Sequence, residues 1–272
     1  MKRSDRLVAL TNFFIENPRE HVSLPRFSEI YNAAKSSISE DLDIIDRVFA
    51  DEGIGRLRTV AGAAGGVKYI PEFSVNNGKK FIDVLCQTLE DPERLLPGGY
   101  LYMSDLLGDP AVVKQIGRIF ASQFTDSNIE AVVTVATKGI PLAYAVASFL
   151  NVPVVIVRRD PMVTEGSSVS INYVSGSSRK IQTMVLPKRS LKEGSNVCII
   201  DDFMKAGGTI NGMVSLLSEF NANVKGIGVL VEADDEEDDE RVVENYLSLI
   251  KITHVDLKQK QINISPGNFH TK

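Results

Sequence analysis

Asp201 and Asp202 follow the apolar run Val197 to Ile200, and Gly207, Gly208 and Thr209 follow after Phe203-Met204-Lys205-Ala206. A short uninterrupted apolar run reads as a strand buried on both faces, while Ile210, Met213, Val214 and Leu217 recur at helical spacing behind Thr209. Paired glycines let backbone N–H groups converge on a ligand, a helix N-terminus favours an anion, and Thr209 adds a hydroxyl donor. Two carboxylates cannot hold a phosphate, but they accept hydrogen bonds from a sugar diol. Phosphate on one side and diol on the other describes a ribose 5-phosphate. A plain strand–turn–helix crossover with acids at its tip is the bland alternative.

A second loop has related chemistry. Ala131 to Val135 reads as another buried strand, followed by Thr137-Lys138-Gly139 before a helix that Pro141 can start. A cation and exposed amides at the carboxyl end of a parallel strand suit a polyanion. Pro153 to Val157 and Val224 to Glu232 read as further strands, and residues 165–174 and 180–186 as an alternating strand pair. Gly226 and Gly228 lack the third glycine and following helix of a dinucleotide fingerprint. A helix is expected over 241–249 and a last strand over 252–257. Leu96-Pro97-Gly98-Gly99-Tyr100 is a constrained loop that can present Tyr100 to a ligand or simply pack it.

The apolar strand, Asp201-Asp202, Gly207-Gly208 and Thr209 together resemble the phosphoribosyl pyrophosphate (PRPP) signature of the type I phosphoribosyltransferases. That resemblance implies a PRPP site made of Asp201, Asp202, Phe203, Met204, Lys205, Ala206, Gly207, Gly208 and Thr209, with Thr137, Lys138 and Gly139 on the pyrophosphate. Two positions depart from the enzymes. Many of them carry Thr where Ala206 stands, and adenine-specific members carry a Glu-Tyr pair where this chain has Asn172-Tyr173. An amide cannot transfer a proton, so no catalytic residue is assigned.

Residues 1–74 read as a separate domain. Leu7, Leu10, Thr11, Phe14 and Ile15 give one helix face, ended by Asn17-Pro18. A second helix starts near Pro25 with Phe27, Ile30 and Tyr31 inward. Ser37 and Glu40 form a capping box for a third, with Ile38, Leu42, Ile45, Val48 and Phe49 behind it. Strands at 56–60 and 67–70 flank the glycine-rich Ala61 to Gly66. Three helices and a hairpin make a winged helix-turn-helix. In it Lys35, Ser36, Ser37 and Ser39 face DNA, Arg56, Arg58 and Lys68 charge the wing, and Arg3 and Arg6 charge the chain start. A protein-contact or dimerisation module is the alternative. Residues 1–74 hold 10 Lys+Arg against 11 Asp+Glu, so DNA binding depends on placement of charge and not on its sum.

The whole chain has 272 residues, 43% apolar and 24% charged, with net charge −5, ordinary for a globular protein. Its charged N-terminus and the lack of a long apolar run predict neither signal peptide nor membrane span, and a cytoplasmic location. Cys86 and Cys198 are expected as buried thiols, with no metal site. Asp234 to Glu240, seven consecutive acids, reads as a solvated loop.

The expected fold class is therefore α/β: a winged helix-turn-helix domain over 1–74, and over 75–272 a type I phosphoribosyltransferase-like domain with a central, mainly parallel sheet. The loose Ser74 to Gly78 marks the boundary. This combination resembles the purine operon regulators built on the phosphoribosyltransferase fold. Ala34 to Asp41, Ala61 to Val67, Leu96 to Tyr100 and Ile200 to Thr209 carry the likeness. It implies a homodimer that binds double-stranded DNA at control regions of purine genes and senses PRPP, with Mg²⁺ as a companion of the ligand and no transferase activity. Tyr100, Lys138, Asp201, Asp202 and Lys205 then belong to the effector pocket. The rival is a working purine phosphoribosyltransferase with an N-terminal extension. Repressor and activator are not distinguished by residues.

Overall fold

Apolar residues at helical spacing, punctuated by Pro18 and Pro25, divide the start of the chain into α1 (Arg3–Glu16), α2 (Leu24–Tyr31) and α3 (Lys35–Asp51). The antiparallel pair β1 (Gly55–Val60) and β2 (Gly66–Pro71) follows, and Val22 bridges to Val67 as a third short strand. In this computed structural model the described residues are 1–60, 65–161, 164, 166–174, 181–233 and 242–271. They form two compact units, Met1–Ser74 with Ser148–Asn151, and Val75–Ala147 with Val152–Lys272.

The core of the first unit joins Leu10, Phe14, Phe27, Ile38, Leu42, Ile45 and Phe49 to Val67 and Tyr69 of the hairpin. Phe13, Phe14 and Phe27 meet edge to face, a geometry that suits their quadrupoles. Two expectations fail here. The capping box does not form: α3 begins at Lys35 after Ala34, with no side-chain cap bond, and Ser37 lies within its first turn. Asn32, in the left-handed region at φ 46°, ends α2 so tightly that helix resumes before Ser37. Ile30 is 54% exposed instead of inward.

The second unit opens with α4 (Val75–Leu89), which takes in the stretch expected to be loose, with Gly78 on its buried face. A small antiparallel pair, β3 (Leu95–Leu96) and β4 (Tyr100–Leu101), precedes α5 (Ser104–Gly108) and α6 (Pro110–Gln123). Asp109 caps α6 by accepting from the Ala111 N–H at 2.8 Å. Then come β5 (Ala131–Val135), α7 (Ile140–Leu150), β6 (Val154–Val157), and the antiparallel β7 (Ser168–Val174) and β8 (Ile181–Pro187). β9 (Asn196–Met204), α8 (Gly208–Ser218), β10 (Asn223–Ala233), β11 (Leu247–Asp256) and β12 (Gln261–Pro266) complete it.

Six strands form the central sheet in the order β12-β11-β10-β9-β5-β6, all parallel except β12. The chain leaves β5 toward β6 on one side and returns to β9 on the other. The crevice between the carboxyl ends of β5 and β9 is thus a topological switch point, where such sheets bind ligands. Gly226 and Gly228 on β10 leave room for the rings of Phe124 and Phe120, which accounts for two glycines that are no dinucleotide motif.

Where a helix was expected over 241–249, the described residues 242–246 are not helical and 247–249 open β11, and β12 was not foreseen. Leu247, Leu249 and Ile250 have partners across a sheet, and that tertiary context overrides their helical spacing. The glycine-rich tip Ala61 to Ala64, the loop 175–178 and the acidic run Asp234 to Glu240 lie outside the described residues.

Candidate functional site

The carboxyl ends of β5 and β9 bring together two of the loops singled out from sequence. β9 continues to Met204, so Asp201 and Asp202 lie within the strand, 4% and 9% exposed. The Asp202 N–H donates to Asp201 Oδ1 at 2.9 Å. A Cβ on Gly139 would stand 2.9 Å from Asp201 Oδ1 and 2.8 Å from Thr134 Oγ1. Only glycine lets the Thr137-Lys138-Gly139 loop lie this close to Asp201.

Burial, reinforced by the neighbouring Asp202 charge, holds the Asp201 carboxyl well above the usual carboxylate range. Burial also raises Asp202, opposed by its hydrogen bonding with Asp201 and by the Lys138 charge. Lys138 therefore acts across the crevice on the acid of the other loop. Thr137 and Lys138 are exposed, free to meet a ligand.

Past the strand, Phe203 and Lys205 are exposed while Met204 is buried in the sheet core, so the Met204 side chain packs and only its backbone can serve a ligand. Gly207 sits at φ 84° and precedes α8 without any side-chain cap bond, which leaves the first amides of the helix, with Gly208 and Thr209, for an anion. The Val242 N–H donates to Ala206 O at 3.3 Å, and a Cβ on Gly207 would stand 3.0 Å from Val243 Cγ2. The return from the acidic run thus braces the signature loop, a contact with no local sequence signal. Beside it, Glu232 is buried and accepts from Tyr246 Oη and from Ser248 Oγ at 2.7 Å.

Tyr100 is 69% exposed on β4, after Gly98 and Gly99 at φ 85° and 80°. Its loop lies toward Leu257, just beyond β11, and among the described residues no hydrogen bond or ring contact joins Tyr100 to the 201–209 loop. Tyr173 turns inward against Gly212 of α8 with its hydroxyl on Gln182, and Asn172 accepts from Thr183 at 3.0 Å. Burial pushes the Cys86 and Cys198 thiols up to about 12, so neither is a nucleophile near neutral pH. Among the described residues no group of three or more His, Cys, Asp or Glu could hold a metal. No helix of the described chain is long and apolar enough to cross a membrane.

The leading end of α3 presents Lys35, Ser36 and Ser39 to solvent, with Ser37 half-buried. On the hairpin Arg58 stands directly opposite Lys68. Arg3, Arg6 and Arg56 have acidic partners within the fold. Arg56 makes two bonds to Asp46 at 3.2 Å, and the same carboxylate accepts from the Leu57 N–H at 2.7 Å. Arg6 is buried and pairs with Asp41, which is 0% exposed, and Arg3 reaches Asp41 at 2.9 Å and Glu40 at 3.4 Å. Arg6 is thus part of the fold and not of a DNA surface. Sequence did hold a signal: Asp41 falls on the apolar stripe of Ile38, Leu42 and Ile45, where a charge needs a buried partner.

Residues 2–71 match the family model described as bacterial purine repressor, N-terminal, and residues 103–264 match the phosphoribosyl transferase domain. The purine biosynthesis transcriptional repressor PurR of Bacillus subtilis is 62% identical over 98% of this chain and 93% of its own length. The transcriptional activator PurR of Lactococcus lactis is 45% identical over 98% of both. A xanthine phosphoribosyltransferase of Agathobacter rectalis is 35% identical over only 46% of this chain and 65% of its own. The solved adenine phosphoribosyltransferase of Thermoanaerobacter pseudethanolicus shares the fold of the second unit, with TM-score 0.53 and 20% identity over 62% of this chain and 98% of that one. Both domain models match in order and the full-length relatives are regulators of both signs, so the chain belongs to the PurR family of bacterial purine biosynthesis transcriptional regulators.

Proposed function

We propose that the chain binds control regions of purine genes through α3 and the wing, and that PRPP, held at the β5–β9 crevice without being consumed, sets how tightly it does so. The carrying observation is the crevice itself, where Lys138 acts on Asp202 and the uncapped α8 N-terminus follows. In this reading Asp202 accepts from the ribose diol and the buried Asp201 backs the loop of Gly139. Gly207, Gly208 and Thr209 take the 5-phosphate, with Ala206, Lys205 and Phe203 beside it, and Thr137, Lys138 and Gly139 take the pyrophosphate. Tyr100 borders the ligand. Mg²⁺ travels with the PRPP oxygens. Lys35, Ser36 and Ser39 read the DNA, and Arg58 and Lys68 hold its phosphates. The protein works in the cytoplasm, where DNA and PRPP meet.

A change of about 100-fold in DNA affinity requires PRPP to discriminate between two protein states by about 2.7 kcal/mol. Titrating purine control DNA with and without PRPP tests this reading; an affinity indifferent to PRPP overturns it. The transferase rival predicts nucleotide formation from PRPP and a purine base. No product is expected, in keeping with Asn172 bound to Thr183 and Tyr173 turned into the core. A transcription assay gives the sign, which differs between relatives.

A further inference from the structure

The segment that returns from the acidic run to the sheet, residues 242–246, belongs to no helix or strand. It nonetheless holds the signature loop, through the Val242 N–H on Ala206 O and the Val243 side chain beside Gly207. That loop needs holding. Gly207 is in the left-handed region, and the α8 N-terminus has no side-chain cap to fix its amides. Val243 packs in the same core cluster as Ile210 and Met213 of α8. Two hydrogen bonds fasten the far end of the segment: Tyr246 Oη donates to Glu232, and Tyr246 O accepts from Asn268 Nδ2 at 3.0 Å.

Glu232 lies near the end of β10 and is buried. A buried carboxyl costs stability unless its oxygens are bonded, and here each has a hydroxyl: Tyr246 Oη on one, Ser248 Oγ on the other at 2.7 Å. Ser248 is buried too, and Asn268 clasps it. The Ser248 N–H donates to Asn268 Oδ1 at 2.9 Å, and Ser248 Oγ accepts from the Asn268 N–H at 3.0 Å. Asn268 thus bonds both Ser248 and Tyr246, which closes the network on itself. Hydrogen bonds are directional, so a bonded network fixes one arrangement where apolar packing alone tolerates several. We propose that Tyr246 is a positioning residue for the phosphate end of the ligand. Anchored on Glu232, it sets residues 242–246, which set Ala206 and Gly207 and so the aim of the α8 amides. This series of contacts runs to the α8 side of the crevice and does not pass through Thr137-Lys138-Gly139. The inference rests on the PRPP reading for the ligand it names.

Tyr246→Phe in the full-length protein keeps the ring and removes only the hydroxyl. By calorimetry it is expected to bind ribose 5-phosphate about tenfold more weakly than the parent, the loss of one hydrogen bond to a carboxylate, and inorganic pyrophosphate equally well. PRPP should weaken by the same factor as ribose 5-phosphate. Without ligand, amide exchange at Gly207 to Thr209 should quicken. Val243→Ala, which trims the side chain beside Gly207, should give the same split between the two ligands. A general loosening of the fold weakens both ligands together, and that outcome overturns the assignment. Unchanged ribose 5-phosphate affinity with unchanged exchange in both variants overturns it as well. A parent that binds none of the three ligands overturns the PRPP reading and this inference with it. A parent that binds all three beside an unaffected Tyr246→Phe overturns this inference alone.

Discussion

The N-termini of α3 and α8 both lack a side-chain cap, and they solve different problems. At α3 the amides are surrounded by exposed Lys35, Ser36 and Ser39, so a long polyanion can lie across them. At α8 the amides follow a left-handed Gly207, with two buried acids earlier in the same stretch, an arrangement that suits the small phosphate- and diol-bearing ligand proposed above. Orphan amides are common to all helices; what flanks them sets the size and chemistry of the anion.

Perturbing the two ends separately should show how independent they are. The largest effect is expected from Asp41→Ala, which strands the Arg6 guanidinium in the first core. A loss of about 3 kcal/mol in chemical denaturation of that unit is expected, with PRPP binding at α8 unchanged by calorimetry. Next, Asp201→Ala with Asp202→Ala should keep DNA binding and abolish its PRPP response, removing the whole difference of about 2.7 kcal/mol assumed for a 100-fold effect. Retained sensitivity in this double variant would remove the site. Gly139→Ala should weaken PRPP by about 1–2 kcal/mol by pushing the Lys138 loop off Asp201 and Thr134, again without touching DNA affinity. Lys68→Ala should be mildest: a weaker complex whose salt dependence falls by about one counterion. An unchanged slope would take Lys68 off the phosphates.

Asp201 also predicts a pH effect on stability. Its folded carboxyl binds its proton more tightly than the unfolded one, so stability falls as pH rises from the unfolded value to the folded one, and is regained as pH falls back to the unfolded value. Asp201→Asn, which stays neutral, should therefore raise the melting temperature most at neutral and alkaline pH and approach the parent in acid. A gain independent of pH would assign the effect to packing.

The α8 end was readable from sequence because its parts are contiguous. A strand, two acids, two glycines and a helix follow one another, so local chemistry alone places them. The α3 end was read less well for the opposite reason. Whether Arg3, Arg6 and Arg56 face DNA depends on Asp41 and Asp46, each brought near by packing and not by chain proximity. The same limit hid β12, and it hid the bracing of Ala206 by Val242, where the partners are joined only through the sheet. Asn32 shows a subtler failure: one left-handed residue moved the start of α3 ahead of the capping pattern at Ser37 and Glu40.

The facing of Arg58 and Lys68 makes the wing a conditional element. If the wing holds phosphates as proposed, DNA places opposite charge between the two strands, and the hairpin's stability then depends on the complex as well as on its own ladder. Ionic strength loosens that complex. Amide exchange across residues 55–60 and 66–71 should slow when operator DNA is added and quicken again as salt rises.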